Sequence, residues 1–201
     1  MDLSQVKLII FDVGGVVYDQ TSVGRRVARE LGLSYRKFME YAALSGIQGL
    51  QLGLISQEYF MKAFQHLYHH RSPEDLWTRF FHPVPIPETI DAIERLKKKF
   101  RVVAGTNTIL PHYEVHMQRG DYGIFPKVYA SNILHLAKPD PRFYSHIIQA
   151  EAVSAAESLF IDDSIQNVET AVKLGIHAIL FTGGKALQEA LSSLLAVSFA
   201  P

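Results

Sequence analysis

From Lys7 to Phe11 the chain runs Leu8-Ile9-Ile10-Phe11 without a polar break, then stops at Asp12, Val13, Gly14 and Gly15. A short apolar run of this kind has no polar alternate position. It suits a strand covered on both faces, the environment of a parallel sheet. Asp12 then stands at the strand's carboxyl end, where open α/β sheets bind their ligands. Gly14 and Gly15 lack a Cβ, so the backbone there can turn tightly and approach an anion closely. A strand followed by a glycine turn, with an aspartate capping it, is also ordinary folding. The rest of the chain has to separate the two readings.

After Asp19 the periodicity becomes helical for roughly seventy residues. Helices are predicted over 22–31, where Val23, Val27, Ala28 and Leu31 recur before Gly32, and over 34–44 with Phe38, Tyr41 and Ala42. The glycine-rich, uncharged stretch from Gly46 to Gly53 reads as a loop. Ser56 reads as an N-cap, with Glu58 in the first turn of a helix carrying Phe60, Phe64 and Leu67. His66, His69 and His70 fall at its solvated end, and a further helix is expected over 73–81. Pro83, Pro85 and Pro87 make a stiff return. Phe60, Phe64, Trp77 and Phe80 read as the core of this helical block, which is taken as a cap spanning 19–85 and inserted into a domain formed by 1–18 and 86–201.

From Ile86 onward strands and helices alternate. Strands are expected at Arg101–Thr106, 127–130, 158–161 and 177–181. Helices are expected through Ile90 and Leu96, over 111–122, after the Asp140-Pro141 cap, from Ile165 to Gly175, and through Leu187, Leu191 and Leu194. This is the pattern of an α/β fold: a Rossmann-like parallel sheet core with helices on both faces and an inserted all-helical cap.

Composition removes several function classes. Twenty basic residues balance twenty acidic ones. The one basic run, Lys97-Lys98-Lys99, sits where a helix should end, so a nucleic-acid partner is not expected. Cysteine is absent, which excludes disulfides, thiol catalysis and thiolate metal sites. No secretory leader pattern opens the sequence and no apolar run suits a bilayer, so the expectation is a cytoplasmic protein without a membrane partner, monomeric or weakly dimeric.

Four strand ends bring polar groups toward one edge of the sheet: Asp12, Thr106-Asn107, Lys138 before a proline, and Asp162-Asp163. Taken singly, Thr106 and Asn107 are turn residues and Lys138 a surface lysine. The carboxylate pair is different, because adjacent charges after an apolar strand repel unless a cation or hydrogen bonds compensate. His112 and His116 stand at i and i+4 but lack a third convergent ligand.

In this order the four segments resemble the haloacid dehalogenase superfamily, most of whose members are magnesium-dependent phosphohydrolases. The likeness covers nearly the whole chain. Asp12-Val13-Gly14-Gly15-Val16 looks like the first motif, Thr106 the second, Lys138 the third and Asp162-Asp163 the fourth. With Gly53-Leu54-Ile55-Ser56 and Thr106-Asn107-Thr108, the chain looks most like the bacterial sugar-1-phosphatase-type branch. The resemblance implies that Asp12 is the nucleophile, forming an aspartyl-phosphate on a small phosphorylated metabolite, with sugar phosphates the class implied. It implies Mg2+ held by Asp12, the Gly14 carbonyl and Asp163, with Asp162 acting through water. Thr106, Asn107, Lys138 and the backbone at Gly15 are then expected on the phosphate, and Gln48 and Gln51 are nominated as cap residues reaching the substrate. Asn167 is placed either at the metal loop or on a helix surface.

One position departs from the pattern. Phosphatases of the family carry a second aspartate two residues after the nucleophile, as general acid and base, and here that residue is Gly14. Such a loss typically costs about 10²–10⁴-fold, although an anomeric leaving group needs less help. Asp19, the nearest spare carboxylate, is assigned to capping the first cap helix. A dehalogenase, which also needs no acid there, and a catalytically weak phosphate-binding protein are the alternatives. The paired Asp162-Asp163 speaks against the dehalogenase, whose chemistry uses no metal.

Overall fold

The structure is a computed structural model that describes residues 5–68, 75–195 and 197–199. Seven strands occur among them: β1 (Leu8–Phe11), β2 (Tyr18–Asp19), β3 (Val84–Pro85), β4 (Arg101–Thr106), β5 (Val128–Ala130), β6 (Ser158–Asp162) and β7 (His177–Leu180). Five of them form one parallel sheet in the order β5-β4-β1-β6-β7. β1 is therefore central, between β4 and β6, which is why its four residues are all fully buried. Alternation splits them between the two faces. Ile9 and Phe11 pack with Val102, Ala104, Leu159 and Ile161 on one side. Leu8 and Ile10 pack with Val103 and Phe160 on the other.

Eleven α-helices are described. Five precede β3: α1 (Gly24–Glu30), α2 (Tyr35–Leu44), α3 (Ile47–Gln51), α4 (Gln57–Tyr68) and α5 (Leu76–Arg79). Six follow it: α6 (Pro87–Leu96), α7 (Leu110–Arg119), α8 (Ser131–Leu134), α9 (Pro141–Ala150), α10 (Ile165–Lys173) and α11 (Gly184–Leu195). α6 and α11 cover the face of Ile9 through Ala92, Ile93, Leu96, Leu187 and Leu191. α9 and α10 cover the opposite face through Phe143, Tyr144, Ile147 and Ala171. At roughly 1.5–3 kcal/mol per fully buried large apolar side chain, this two-sided burial dominates the core's stability. No helix among the described residues is long and apolar enough to cross a membrane.

The helices between β2 and β3 form the inserted cap, with its own core of Val27, Phe38, Ala42, Leu50, Phe60, Phe64, Leu76 and Trp77. The Trp77 ring meets Phe60 edge-on at 5.1 Å between centroids. The chain leaves and re-enters the sheet domain through an antiparallel β2–β3 ribbon, Tyr18 opposite Pro85 and Asp19 opposite Val84. The prolines there therefore end in a two-stranded ribbon.

Several element boundaries differ from expectation for local reasons. The 46–53 stretch is not wholly loop: α3 occupies its middle, between Gly46 and Gly53, both with positive φ. The helix expected over 73–81 is one turn, because the Asp75 carboxylate accepts from the Trp77 and Thr78 N–H groups and starts it at Leu76. Pro73, like His69 and His70, lies outside the described residues. The helix expected over 111–122 ends at Arg119, where Gly120 turns left-handed (φ 72°) and a 3-10 turn, Asp121–Ile124, follows. Asp19 does not cap α1. Its Oδ1 accepts from the Gln20 N–H (2.6 Å), and α1 has no side-chain cap.

Candidate active site

β1, β4 and β6 end at the same edge of the sheet, so parallel pairing alone brings Asp12, Thr106 and Asp162 together. Lys138 reaches them from the loop before α9. Its Nζ lies 2.7 Å from Asp12 Oδ1 and 2.7 Å from Asp162 Oδ2. All three side chains are buried, the Lys138 side chain to 1% exposure, so this is a desolvated array rather than a surface ion pair. Removing one member of such an array strands the others, which is where its energetic weight lies.

Asp162 is tied down further. Its Oδ1 accepts from the Ser164 N–H (2.8 Å) and from Asn167 Nδ2 (3.0 Å), and Asn167 also reaches Oδ2 (3.1 Å). Tyr144 in turn donates to the Asn167 carbonyl (3.0 Å). Asn167 is therefore buried against the acidic loop and not on a helix surface. Asp163, one residue on, stays open to the cavity. Asp12, Asp162 and Asp163 each offer an oxygen within 4.8 Å of the others, and they are the one such carboxylate, histidine or cysteine group among the described residues.

Three carboxylates thus face a single ammonium. Burial raises the Asp12 carboxyl, Lys138 pulls it back and Asp162 pushes it up again, which leaves it at about 7. Asp163 is raised by burial and by Asp162. Burial opposes the charge on Lys138, but the flanking carboxylates more than offset this and hold its pKa above the ordinary value. Clustered hard oxygen donors with excess negative charge fit a divalent cation, which favours their ionised forms. The donor set therefore suits the metal that the sequence implied.

The glycine turn fits the same picture. Gly15 has φ +80°, and a Cβ there would lie 2.2 Å from Asp163 Oδ2. Its N–H donates to the Tyr18 carbonyl (2.8 Å), so it is used within the turn and is not open to a phosphate. Asn107, expected on the phosphate, spends its amide on Lys138: Oδ1 accepts from the Lys138 N–H (2.9 Å) and Nδ2 donates to its carbonyl (2.8 Å). Thr106 is buried and lines the cavity.

That cavity, of about 460 Å³, runs from Asp12, Thr106, Lys138 and Asp163 to Thr21, Ser22 and Phe81 of the cap segment. Gln51 lines a second hollow that continues it beneath the cap, whereas Gln48 is exposed and lines neither. His112 and His116 line the cavity without forming a metal pair. His112 Nε2 engages the Trp77 carbonyl (3.1 Å), and His116 Nδ1 engages Asp121 Oδ2 (2.8 Å). Two wall residues, Thr21 and Tyr122, and Asp121 behind His116 carried no sequence signal. Each is an isolated polar residue whose place follows from tertiary packing alone.

Comparison with known proteins gives this geometry a lineage. The D-ribitol-5-phosphate phosphatase of Bacteroides thetaiotaomicron is 24% identical over 204 residues, covering 94% of this chain and 98% of its own. The sesquiterpene phosphatase astK of Aspergillus oryzae is 32% identical over 78 residues. The chain spans only 40% of that protein and 18% of the drimenol cyclase drtB of Aspergillus calidoustus, which it also matches. Among solved structures, a haloacid dehalogenase family enzyme from B. thetaiotaomicron in complex with magnesium and inorganic phosphate superposes with a TM-score of 0.73 at 24% identity, over 89% of this chain and 96% of the other. The profile of the haloacid dehalogenase-like hydrolases matches residues 6–175, and the chain belongs to that family.

Proposed function

We propose that the protein hydrolyses phosphoric monoesters of small metabolites, sugar phosphates foremost, through an aspartyl-phosphate on Asp12. The reading rests on one observation above the others: Asp12, Asp162 and Asp163 converge within 4.8 Å beside a buried lysine. The near full-length likeness to a ribitol-phosphate phosphatase supports the substrate class. In this reading residues 19–85 are the cap and the remainder carries the chemistry.

Asp12 attacks phosphorus, exchanging one difficult displacement for two easier ones. Lys138 holds Asp12 in place and presents charge to the phosphoryl oxygens. Asn107 fixes the Lys138 backbone, and Asn167 with Ser164 fixes Asp162, so neither carboxylate nor lysine reorganises as charge moves. Thr106 binds a phosphoryl oxygen. Asp12, the Gly14 carbonyl and Asp163 would hold Mg2+, with Asp162 behind them. When bound, the cation neutralises the repulsion between the carboxylates and the phosphate.

The test compares wild type with Asp12→Asn on ribitol 5-phosphate, glucose 1-phosphate, p-nitrophenyl phosphate and 2-chloropropionate, with magnesium or with a chelator. Expected is magnesium-dependent phosphate release that the substitution lowers by at least about 10³-fold. Metal-independent chloride release, or turnover indifferent to the Asp12 substitution, would overturn the assignment.

A further inference from the structure

Gly14 leaves the reaction without a carboxyl group to carry the leaving group's proton. The space that a side chain at 14 would enter is already taken, since a Cβ there would lie 2.9 Å from Thr21 Oγ1. A hydroxyl is too weak an acid and base to replace a carboxyl alone. Asp19 also lines the cavity, but it is exposed and its Oδ1 is engaged by the Gln20 N–H (2.6 Å), which leaves the buried candidate for proton exchange on another wall.

His116 is the residue placed for it. It is buried in the second turn of α7 and lines the cavity that holds Asp12. Its Nδ1 faces Asp121 Oδ2 at 2.8 Å, and Arg119 Nε reaches the same oxygen at 2.8 Å. A carboxylate only accepts, so Nδ1 carries the hydrogen and Nε2 is left with its lone pair. Nε2 has no partner among the described residues. The rings of Tyr18, Phe81 and Tyr122, with centroids 5.1, 5.2 and 5.0 Å away, hold the imidazole plane. Asp121, Arg119, Tyr18, Tyr122 and His112 are the titratable or charged groups around it. Burial outweighs Asp121 and lowers the His116 pKa, so the free protein carries it neutral.

Beside it, Tyr122 lines the same cavity, and its buried hydroxyl has no hydrogen-bond partner among the described residues. Burial, then Tyr113 and Asp12, raise its pKa, so it stays protonated as a donor. An unpartnered buried hydroxyl at the wall of a cavity is one that a ligand is suited to satisfy.

We propose that His116, oriented by Asp121, performs the proton exchange that the Gly14 position cannot, with the Tyr122 hydroxyl holding the oxygen involved. The proposal rests on the phospho-Asp12 reading. In the first half-reaction the Asp12–phosphorus bond forms and the ester P–O bond breaks. The substrate brings the proton: its phosphomonoester monoanion protonates Nε2 on binding, and the imidazolium so formed passes that proton to the leaving oxygen, releasing an alcohol and neutral His116. In the second, water attacks phosphorus, the Asp12–phosphorus bond breaks, and the water's proton passes to Nε2. Phosphate leaves as its monoanion with the proton from Nε2, and the free protein again carries His116 neutral.

The experiment measures single-turnover release of the leaving group, with magnesium and enzyme in excess, for p-nitrophenyl phosphate and for ribitol 5-phosphate. Nitrophenolate departs without a proton, whereas the polyol needs one. His116→Gln is expected to slow ribitol release about 10²–10⁴-fold and nitrophenolate release by less than about threefold. It should also slow steady-state turnover of both, because water then lacks its base. Asp121→Asn should displace the pH profile of ribitol release. Tyr122→Phe, which deletes a hydroxyl without a partner among the described residues, should slow ribitol release about tenfold and spare nitrophenolate. Equal losses on the two substrates, or none on either, overturn the proposal even if His116→Gln is poorly folded, because Tyr122→Phe reports the same selectivity. A wild type with no magnesium-dependent release overturns the phospho-Asp12 reading, and the proposal with it.

Discussion

Gly15 satisfies two demands that no other residue meets together. Its φ of +80° lies where a Cβ is strained, and the Cβ would also sit 2.2 Å from the Asp163 carboxylate. Gly15→Ala should therefore displace Asp163 and weaken magnesium binding at least tenfold, with a stability loss of about 1–3 kcal/mol. Calorimetric titration with magnesium, beside chemical denaturation, checks both. Unchanged metal affinity would mean that Asp163 does not serve the cation. At this scale the residue types were legible and their partners were not. Asp12, Lys138 and the Asp162-Asp163 pair stood out because charges at the ends of apolar strands need a reason. From sequence, Asn107 is expected on the phosphate, and Asn167 either at the metal loop or on a helix surface. An amide's partners depend on how two distant loops meet, and here they are the Lys138 backbone and Asp162.

Among the elements, long periodic segments and buried strands were readable, and short ones hidden by glycine were not. β1, β4 and β6 follow from unbroken apolar runs, whereas α3 has five residues and a glycine among them, so its helical spacing never completes a pattern. β2 and β3, two residues each, are too short to show alternation at all. Yet the turn after α3 is one of the places where the cap is fastened to the sheet domain. The Ser131 hydroxyl donates to the Gln51 carbonyl (2.8 Å), His135 Nδ1 meets the Leu52 carbonyl (2.7 Å), and Gly53 packs against the Asn132 backbone. A Cβ on Gly53 would lie 2.2 Å from the Asn132 carbonyl oxygen, with φ at +65°. Since backbone on backbone has nowhere to yield, Gly53→Ala should part this clasp. The expected result is faster hydrogen exchange over 50–55 and 131–135, with the protection of β1 and β6 retained. Exchange unchanged in both segments would show that the clasp does not hold the cap.

For the molecule as a whole, alternation of strands and helices after Ile86 was sufficient for a parallel sheet, and the helical block before it for an insertion. The way the two bodies are fastened was not readable, because part of it rests on a histidine to which the sequence assigned no partner. His112 stands on α7 of the sheet domain. Its Nε2 engages the Trp77 carbonyl of the cap, and its ring stacks on Phe81 at 3.8 Å and 5°. Burial lowers its pKa to about 4, against hydrogen bonding to Trp77 and the attraction of Asp75. The unfolded chain holds an ordinary histidine near 6.5, so between pH 6.5 and 4 it binds a proton that the folded protein refuses. Stability contributed by neutral His112 is thus present above about pH 6.5 and is lost as the pH falls toward 4, by at most about 3 kcal/mol. His112→Gln, which keeps a donor for the Trp77 carbonyl and does not titrate, should flatten that part of the curve. Carboxylates titrate in the same range, so the quantity to measure is the difference between wild type and variant in unfolding free energy at pH 7 and pH 4.5. A difference that stays constant between the two would mean that His112 is charged at the joint between cap and sheet, and that the cap is held there by something other than a neutral ring.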